Sequence, residues 1–256
     1  MNMIRFLKLI TIFLSLLINS INSFSFEQKD FVNDITHAKE LFDEGKHDAA
    51  IKYWEGKQPA YGGQQGHYEL ELGTFYSRMK TFDKAEQTYL AGMALGGKYP
   101  RLNVSLSYIY LWTGRFDQSS ALLDETIKEY PDWWSGYYTK AHHEFLTENY
   151  KSAKKLAEQS VSIMETARGF MLLARISYAL NDTRSVISAI EEAINIEPNF
   201  LADLTAMKIY AVSLATEGLN GEAIAVIEEV KKNNEKAVGD KELEKLLSEL
   251  KNPKNN

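Results

Sequence analysis

Apolar residues recur along most of this chain at i, i+3, i+4 and i+7, the spacing that gathers them on one face of a helix. The amphipathic stretches come in pairs, and a short polar turn joins the members of each pair. Two pairs close with proline, in KEYPDW at Pro131 and NIEPNF at Pro198. Proline lacks the helical N–H and disfavours helix in the residue before it, so it ends the second helix. In the turn TGRFD, Gly114 stands between paired helices, where a left-handed backbone costs glycine little. The tail GDKELEKLLSELKNPK repeats the pattern once more. Asp240 offers an N-cap, Leu243, Leu246, Leu247 and Leu250 form one apolar stripe, and Pro253 closes the segment. The pattern predicts helices throughout, the last one covering the apolar face of the preceding pair.

The first residues read differently. MNMIRFLK carries Arg5 and Lys8 and no acid, LITIFLSLLI (Leu9 to Ile18) is mostly apolar, and NSINSFSF supplies small residues. That is the order of a secretory signal, and the apolar run is short for a bilayer span. Residues 1–25 are therefore expected to be a signal peptide cleaved after Ser25, with retention as an N-terminal anchor the alternative. After cleavage no integral membrane span is expected.

The helical pairs are copies of one another. LGTFYSRMKTFDKAEQTYLAGM from Leu72, LSYIYLWTGRFDQSSALLDETI from Leu106, KAHHEFLTENYKSAKKLAEQSV from Lys140 and LARISYALNDTRSVISAIEEAI from Leu173 begin 34, 34 and 33 residues apart. A small residue stands second in each: Gly73, Ser107, Ala141, Ala174. An aromatic follows in three, Phe82, Phe116 and Tyr150, and then Ala85, Ser119, Ala153 and Val186. Weaker copies precede and follow, around Ala38–Gly45–Ala50 and Ala211–Gly218–Ala223. Self-similarity at this period is the mark of a stacked repeat array, with degenerate copies at its ends.

In these positions the chain resembles the tetratricopeptide repeat (TPR) family, whose 34-residue unit runs L-G-x-x-Y, G-x-Y/F-x-x-A and a late proline. Leu106, Ser107, Tyr110, Gly114, Phe116, Ser119, Leu123, Ile127 and Pro131 follow it well, while Lys140 stands where leucine is usual and Gly92 where alanine is usual. The resemblance implies an all-α, right-handed superhelical solenoid of about six helix-turn-helix repeats. They would occupy residues 26–237, with repeats near 31–65, 66–99, 100–133, 134–166, 167–203 and 204–237. A capping helix and polar tail would follow at 238–256.

Composition narrows the chemistry. The chain has 29 basic and 35 acidic residues, a net charge of −6, and no cysteine. An acidic chain has no overall pull toward nucleic acid. The lack of cysteine excludes disulfides, Cys-bound zinc and Cys nucleophiles. GMALGGKYP matches the start of a phosphate-binding loop through Gly92, Gly97 and Lys98. That loop needs a preceding strand and a Ser or Thr after its Lys, yet Tyr99 and Pro100 follow here. The repeat register makes the segment a helix end and turn, and no nucleotide is expected. His142 and His143 point about 100° apart as helix neighbours and do not converge on a metal; with the other histidines they read as solvated or turn residues. Ser135 in WWSGY lacks the G-x-S-x-G context of a nucleophile. No enzyme activity, cofactor or metal is expected.

A binding surface remains. The resemblance implies that first helices present unit positions 2, 5, 9, 12 and 13 along a concave groove. Carried onto this chain, these give Arg101, Tyr108, Trp112, Tyr138, His142, Phe145, Arg168, Arg175 and Tyr178, along with Leu70, Leu111 and Met171. Aromatics and arginine dominate interface hot spots. The expected partner is an extended protein or peptide, partly apolar and locally anionic, in the cell envelope of the periplasm or outside the cell. The alternative is a glycan of a polysaccharide export system, stacked on the tyrosines and tryptophan.

Overall fold

A computed structural model of the chain describes residues 29–62, 66–96 and 99–252. The expected signal peptide, Gly97, Lys98 and Pro253 lie outside the described residues. Helix α1 covers residues 29–43. It is followed by α2 (His47–Glu55), a single turn α3 (Gln58–Tyr61), α4 (His67–Arg78), α5 (Phe82–Ala94), α6 (Pro100–Trp112) and α7 (Phe116–Glu129). Then come α8 (Trp134–Leu146), α9 (Tyr150–Ile163), α10 (Ala167–Ala179), α11 (Thr183–Ile196), α12 (Leu204–Thr216), α13 (Asn220–Asn233) and α14 (Lys241–Lys251). There is no strand among the described residues. The chain forms two compact units, one ending at Ile109 and one running from Tyr110 to Asn256, so the division falls within α6.

The paired helices share one turn geometry. Each turn holds one residue in the left-handed conformation: Gly45, Lys80, Gly114, Glu148, Asn181 and Gly218, with φ between 56° and 82°. The next residue donates its N–H five residues back, as in Lys46 to Leu41 (2.9 Å), Thr81 to Tyr76 (2.9 Å), Arg115 to Tyr110 (2.8 Å), Asn149 to Glu144 (2.8 Å), Asp182 to Ser177 (2.9 Å) and Leu219 to Leu214 (2.9 Å). This six-to-one bond is the Schellman closure, which satisfies a carbonyl that the ending helix leaves free. Gly114 was legible as such a site. Lys80, Glu148 and Asn181 hold the same conformation without being glycine.

In the N-terminal unit the core is aromatic. Trp54 is fully buried, stacks on Tyr68 with ring centroids 5.6 Å apart, and donates its indole N–H to the Tyr68 carbonyl at 3.2 Å. Helices α4 and α5 approach so closely that a Cβ at Gly73 would lie 2.4 Å from the Tyr89 ring. Gly92 is buried in α5, and a Cβ there would meet Glu69 Cβ at 2.9 Å and Leu102 Cδ1 at 3.1 Å. The glycine of GMALGGKYP is thus a packing residue inside a helix, and Gly96 at φ 71° takes the turn beyond it.

The C-terminal unit packs through small and aliphatic residues. Ala141, Ala153, Ala157, Leu172 and Ile176 form one cluster among α8, α9 and α10. Ala174, Val186, Ala189, Ile190, Met207, Ala211 and Ile227 belong to a second, spread over α10 to α13 and closed by Leu243 of α14. The residues singled out as small in the sequence are buried: Ser107, Ala141, Ala174, Ala85, Ser119, Ala153 and Val186 expose 1% or less. Asp240 caps α14 as expected, accepting from the N–H groups of Glu242 and Leu243 at 3.1 Å each.

A candidate partner-binding face on the first helices

Three expected site residues lie on α6. Arg101 is exposed in its first turn, Tyr108 is half-buried, and Trp112, its last residue, is 53% exposed. On α8, Tyr138, His142 and Phe145 recur at i, i+4 and i+7, one face of that helix. On α10, Arg168, Arg175 and Tyr178 recur at i, i+7 and i+10, again one face. Tyr137, Ala141, Leu172 and Ile176 flank these residues on the same helices and are buried, and Tyr138 and Phe145 pack partly against the cluster of Ala141, Leu172 and Ile176. Tyr138, His142 and Phe145 are therefore half-buried at the edge of that cluster, while Arg168, Arg175 and Tyr178 are exposed.

The structure brings five of these residues together. The Arg175 guanidinium lies 5.4 Å from the centre of the Phe145 ring, within cation–π range. Burial pushes the Tyr138 phenol up, while the nearby charges of Arg168 and Arg175 both pull it back. His142 is held below its ordinary range, first by burial and then by the charges of Arg175 and His143. Arg175 is therefore the hub of Tyr138, His142 and Phe145, with Arg168 joining at Tyr138. Tyr178 is 43% exposed and opens onto a cleft of about 500 Å³. Ile209 and Val212 of α12 and Leu246 of α14 line it, and Lys208 and Glu242 close its rim. Lys208 is ion-paired there to Asp240 at 3.0 Å and to Glu242, and these two carboxylates raise its ammonium above the usual lysine range, Glu242 more than Asp240.

Some expectations need correction. Leu70, Leu111 and Met171, carried over as groove positions, expose 3%, 6% and 7% and belong to the core. Met171 packs in the cluster that α10 shares with α11 to α13. His143 is not solvated: it is 5% exposed, its Nε2 lies 3.1 Å from the Phe116 carbonyl, and its Nδ1 lies 3.9 Å from Glu144. Helix α8 contacts both α7 and α9, so most of its circumference is covered.

Lys140 is the residue whose role sequence reasoning missed. It stands at a leucine position and is 6% exposed, yet its ammonium reaches Asp124 at 3.1 Å, Glu144 at 3.5 Å and the Ser120 hydroxyl. The methylenes fill the apolar position while the charged end finds acceptors on α7 and on its own helix. Ser120 beside Lys140 pairs the residue types of a serine–lysine dyad, but an ion-paired ammonium has no lone pair to take the serine proton. Acids at 124 and 144, bracketing a lysine in the core register, were the available signal.

No group of three or more His, Cys, Asp or Glu arranged to hold a metal occurs among the described residues. No helix among them is long and apolar enough to cross a membrane.

No family model matches the sequence. No curated protein matches it either. Solved structures do match in shape. A thermophilic TPR protein from Thermus thermophilus superposes with a TM-score of 0.60 at 16% identity, over 72% of this chain and 98% of its own. A TPR protein from Parabacteroides merdae gives 0.56 at 14% identity, over 88% and 100%. Yeast Tom70 gives 0.67 at 12% identity, over 81% of this chain and 45% of its own. Cut9, in the Cut9–Hcn1 hetero-tetramer of the APC/C, gives 0.66 at 12% identity, over 86% and 42%. At these identities the likeness defines the fold, which is the all-α helical-repeat fold of TPR proteins.

Proposed function

We propose that this chain is a non-enzymatic scaffold that binds another protein through the exposed face of its first helices. The observation that carries the reading is the α8–α10 face, where Arg175 lies over Phe145 next to Tyr138 and His142, with exposed Tyr178 one turn further on. Arginine and aromatic side chains together supply large contact area and directed hydrogen bonds, the usual make-up of interface hot spots. Cut9, a structural neighbour, is found in a hetero-tetramer with Hcn1, which supports the same use of the fold by analogy. We further propose export to the cell envelope, on the basic, apolar and small order of residues 1–25. Intact-mass analysis of chain recovered from the envelope should begin near Phe26, and recovery of full-length chain from the cytosol would count against export.

The binding reading is tested by capture of partners from envelope extracts with the wild-type chain and with Trp112→Ala. Trp112 is 53% exposed, so its loss should leave helical content unchanged while weakening partner binding by about 2 kcal/mol, roughly thirtyfold, if it is a hot spot. A variant that unfolds, with the residual folded fraction binding as tightly as before, would show that Trp112 is a packing residue.

A further inference from the structure

We infer that the α8–α10 face recognises an acidic, extended peptide segment: Arg168 and Arg175 receive two carboxylates, and an apolar side chain enters the cleft beside Tyr178. This deepens the binding reading above and rests on it. The first ground is charge. Among the described residues neither Arg168 nor Arg175 has a hydrogen-bonded or ion-paired carboxylate. In the same unit Lys140, Lys154, Lys208 and Lys231 each reach one. In a chain with more acids than bases, two unneutralised arginines on one face form a local positive field of a sign opposite to the whole molecule.

The second ground is geometry. The two arginines are seven residues apart on α10, two helical turns, which is a rise of about 10.5 Å. An extended segment rises about 3.3 Å per residue, so carboxylates three residues apart match that separation. Both side chains are exposed on the same side of α10, and Arg175 reaches across to Phe145 of α8. Arg175 is held against the Phe145 ring, which fixes its planar fork before a ligand arrives and favours bidentate pairing. Arg168 stands in the first turn of α10, where no acid is present and the helix end is itself positive. An acid would stabilise that turn; an arginine raises the potential there and suits an incoming anion.

The third ground is the neighbouring cleft. Beyond Arg175 the same face of α10 continues to Tyr178, whose exposed ring faces Ile209, Val212 and Leu246. Ile209, Val212, Leu243 and Leu246 offer an apolar wall for a leucine-sized side chain, with Thr205, Lys208 and Glu242 along its polar edge. A peptide with two acids followed by an apolar residue is the occupant that uses every part of the strip.

The test uses two fluorescein-labelled peptides and the full chain, read by anisotropy. One is Asp-Ala-Ser-Asp-Leu-Leu and the other its neutral twin Asn-Ala-Ser-Asn-Leu-Leu. The acidic peptide should bind at least tenfold more tightly at low salt, with the advantage shrinking as ionic strength rises. Arg168→Gln and Arg175→Gln should each remove most of that advantage, with helical content unchanged because both side chains are exposed. Tyr178→Ala should weaken both peptides alike. Equal binding of the twins, or an advantage untouched by the arginine variants, overturns the inference. If the twins bind equally and both weaken on Tyr178→Ala, the face still binds protein and only its acidic preference falls. Failure of both peptides overturns the inference, and the Trp112→Ala capture experiment then judges the wider reading separately. Oligogalacturonate bound through the same arginines, with no binding of the acidic peptide, would assign the site to an anionic glycan instead.

Discussion

Replacing Gly73 with alanine tests how closely α4 and α5 are required to approach. A methyl carbon at Gly73 would sit 2.4 Å from Tyr89 Cε1, 2.6 Å from Cδ1 and 3.0 Å from Cζ. Carbon atoms rest at about 3.5–4.0 Å, so the overlap exceeds 1 Å at the nearest atom. The ring has nowhere to go: Tyr89 is 2% exposed and its hydroxyl lies 3.4 Å from Thr74 Oγ1. The helix pair must therefore separate. Overpacking of this kind costs about 1–3 kcal/mol. Alanine returns about 1 kcal/mol through its better helix propensity. An overlap above 1 Å against a buried ring belongs in the upper part of the overpacking range, about 2–3 kcal/mol, so the net expectation is a loss of about 1–2 kcal/mol, a fall in Tm of roughly 2–8 °C. Thermal denaturation by circular dichroism measures it, and hydrogen exchange should locate the loss in α4 and α5. Tyr89→Leu in the same chain should relieve the clash, giving a coupling of about 1 kcal/mol or more in the double-mutant cycle. Gly221→Ala is the control: nothing lies within 4 Å of its added Cβ, so stability should hold or rise by up to about 1 kcal/mol. A Gly73→Ala protein as stable as the wild type would refute the close-approach argument.

Two further outcomes follow from the turns and from the half-buried His142. Glu148 holds φ 63° in its turn, a conformation that costs a non-glycine residue about 1–2 kcal/mol. Glu148→Gly should relieve that strain and, after the added flexibility of the unfolded chain, stabilise by up to about 1 kcal/mol in chemical denaturation; a loss of stability would mean the side chain itself supports the turn. His142 titrates below its ordinary 6.5 in the folded chain, so the unfolded chain binds the proton more readily. The stability due to the neutral ring is then fully present above pH 6.5 and lost as pH falls through the lower folded value. Denaturation midpoints at pH 8 and pH 5 should differ more in the wild type than in His142→Gln, and equal differences would contradict the burial argument.

Much of the fold was legible because helical periodicity and the 34-residue repeat are local. The paired helices, the small residues at Gly73, Ala141 and Ala174, the N-cap at Asp240 and the turn glycine at Gly114 all follow from the nearest few residues of chain. That Tyr138, His142 and Phe145 share one side of α8, and Arg168 and Arg175 one side of α10, was legible, because each side belongs to a single helix; that Arg175 meets Phe145 was decided by how the two helices dock. What depended on tertiary structure is which positions a neighbouring helix covers. The pattern that put Arg175 on the surface put Leu70 and Met171 there too, and packing buried them. Lys140 looked like a defect in the repeat until α7 brought Ser120 and Asp124 to its ammonium. His143 looked like a solvated histidine until the Phe116 carbonyl and Glu144 enclosed it. Lys80, Glu148 and Asn181 accept the left-handed turn that glycine takes elsewhere, because closure of the helix pair imposes the backbone and the side chain follows. Local sequence determined the helices and their outward faces. Only the contacts between helices decided where a charge could be buried, because a partner supplied from another helix is what makes that burial affordable in energy.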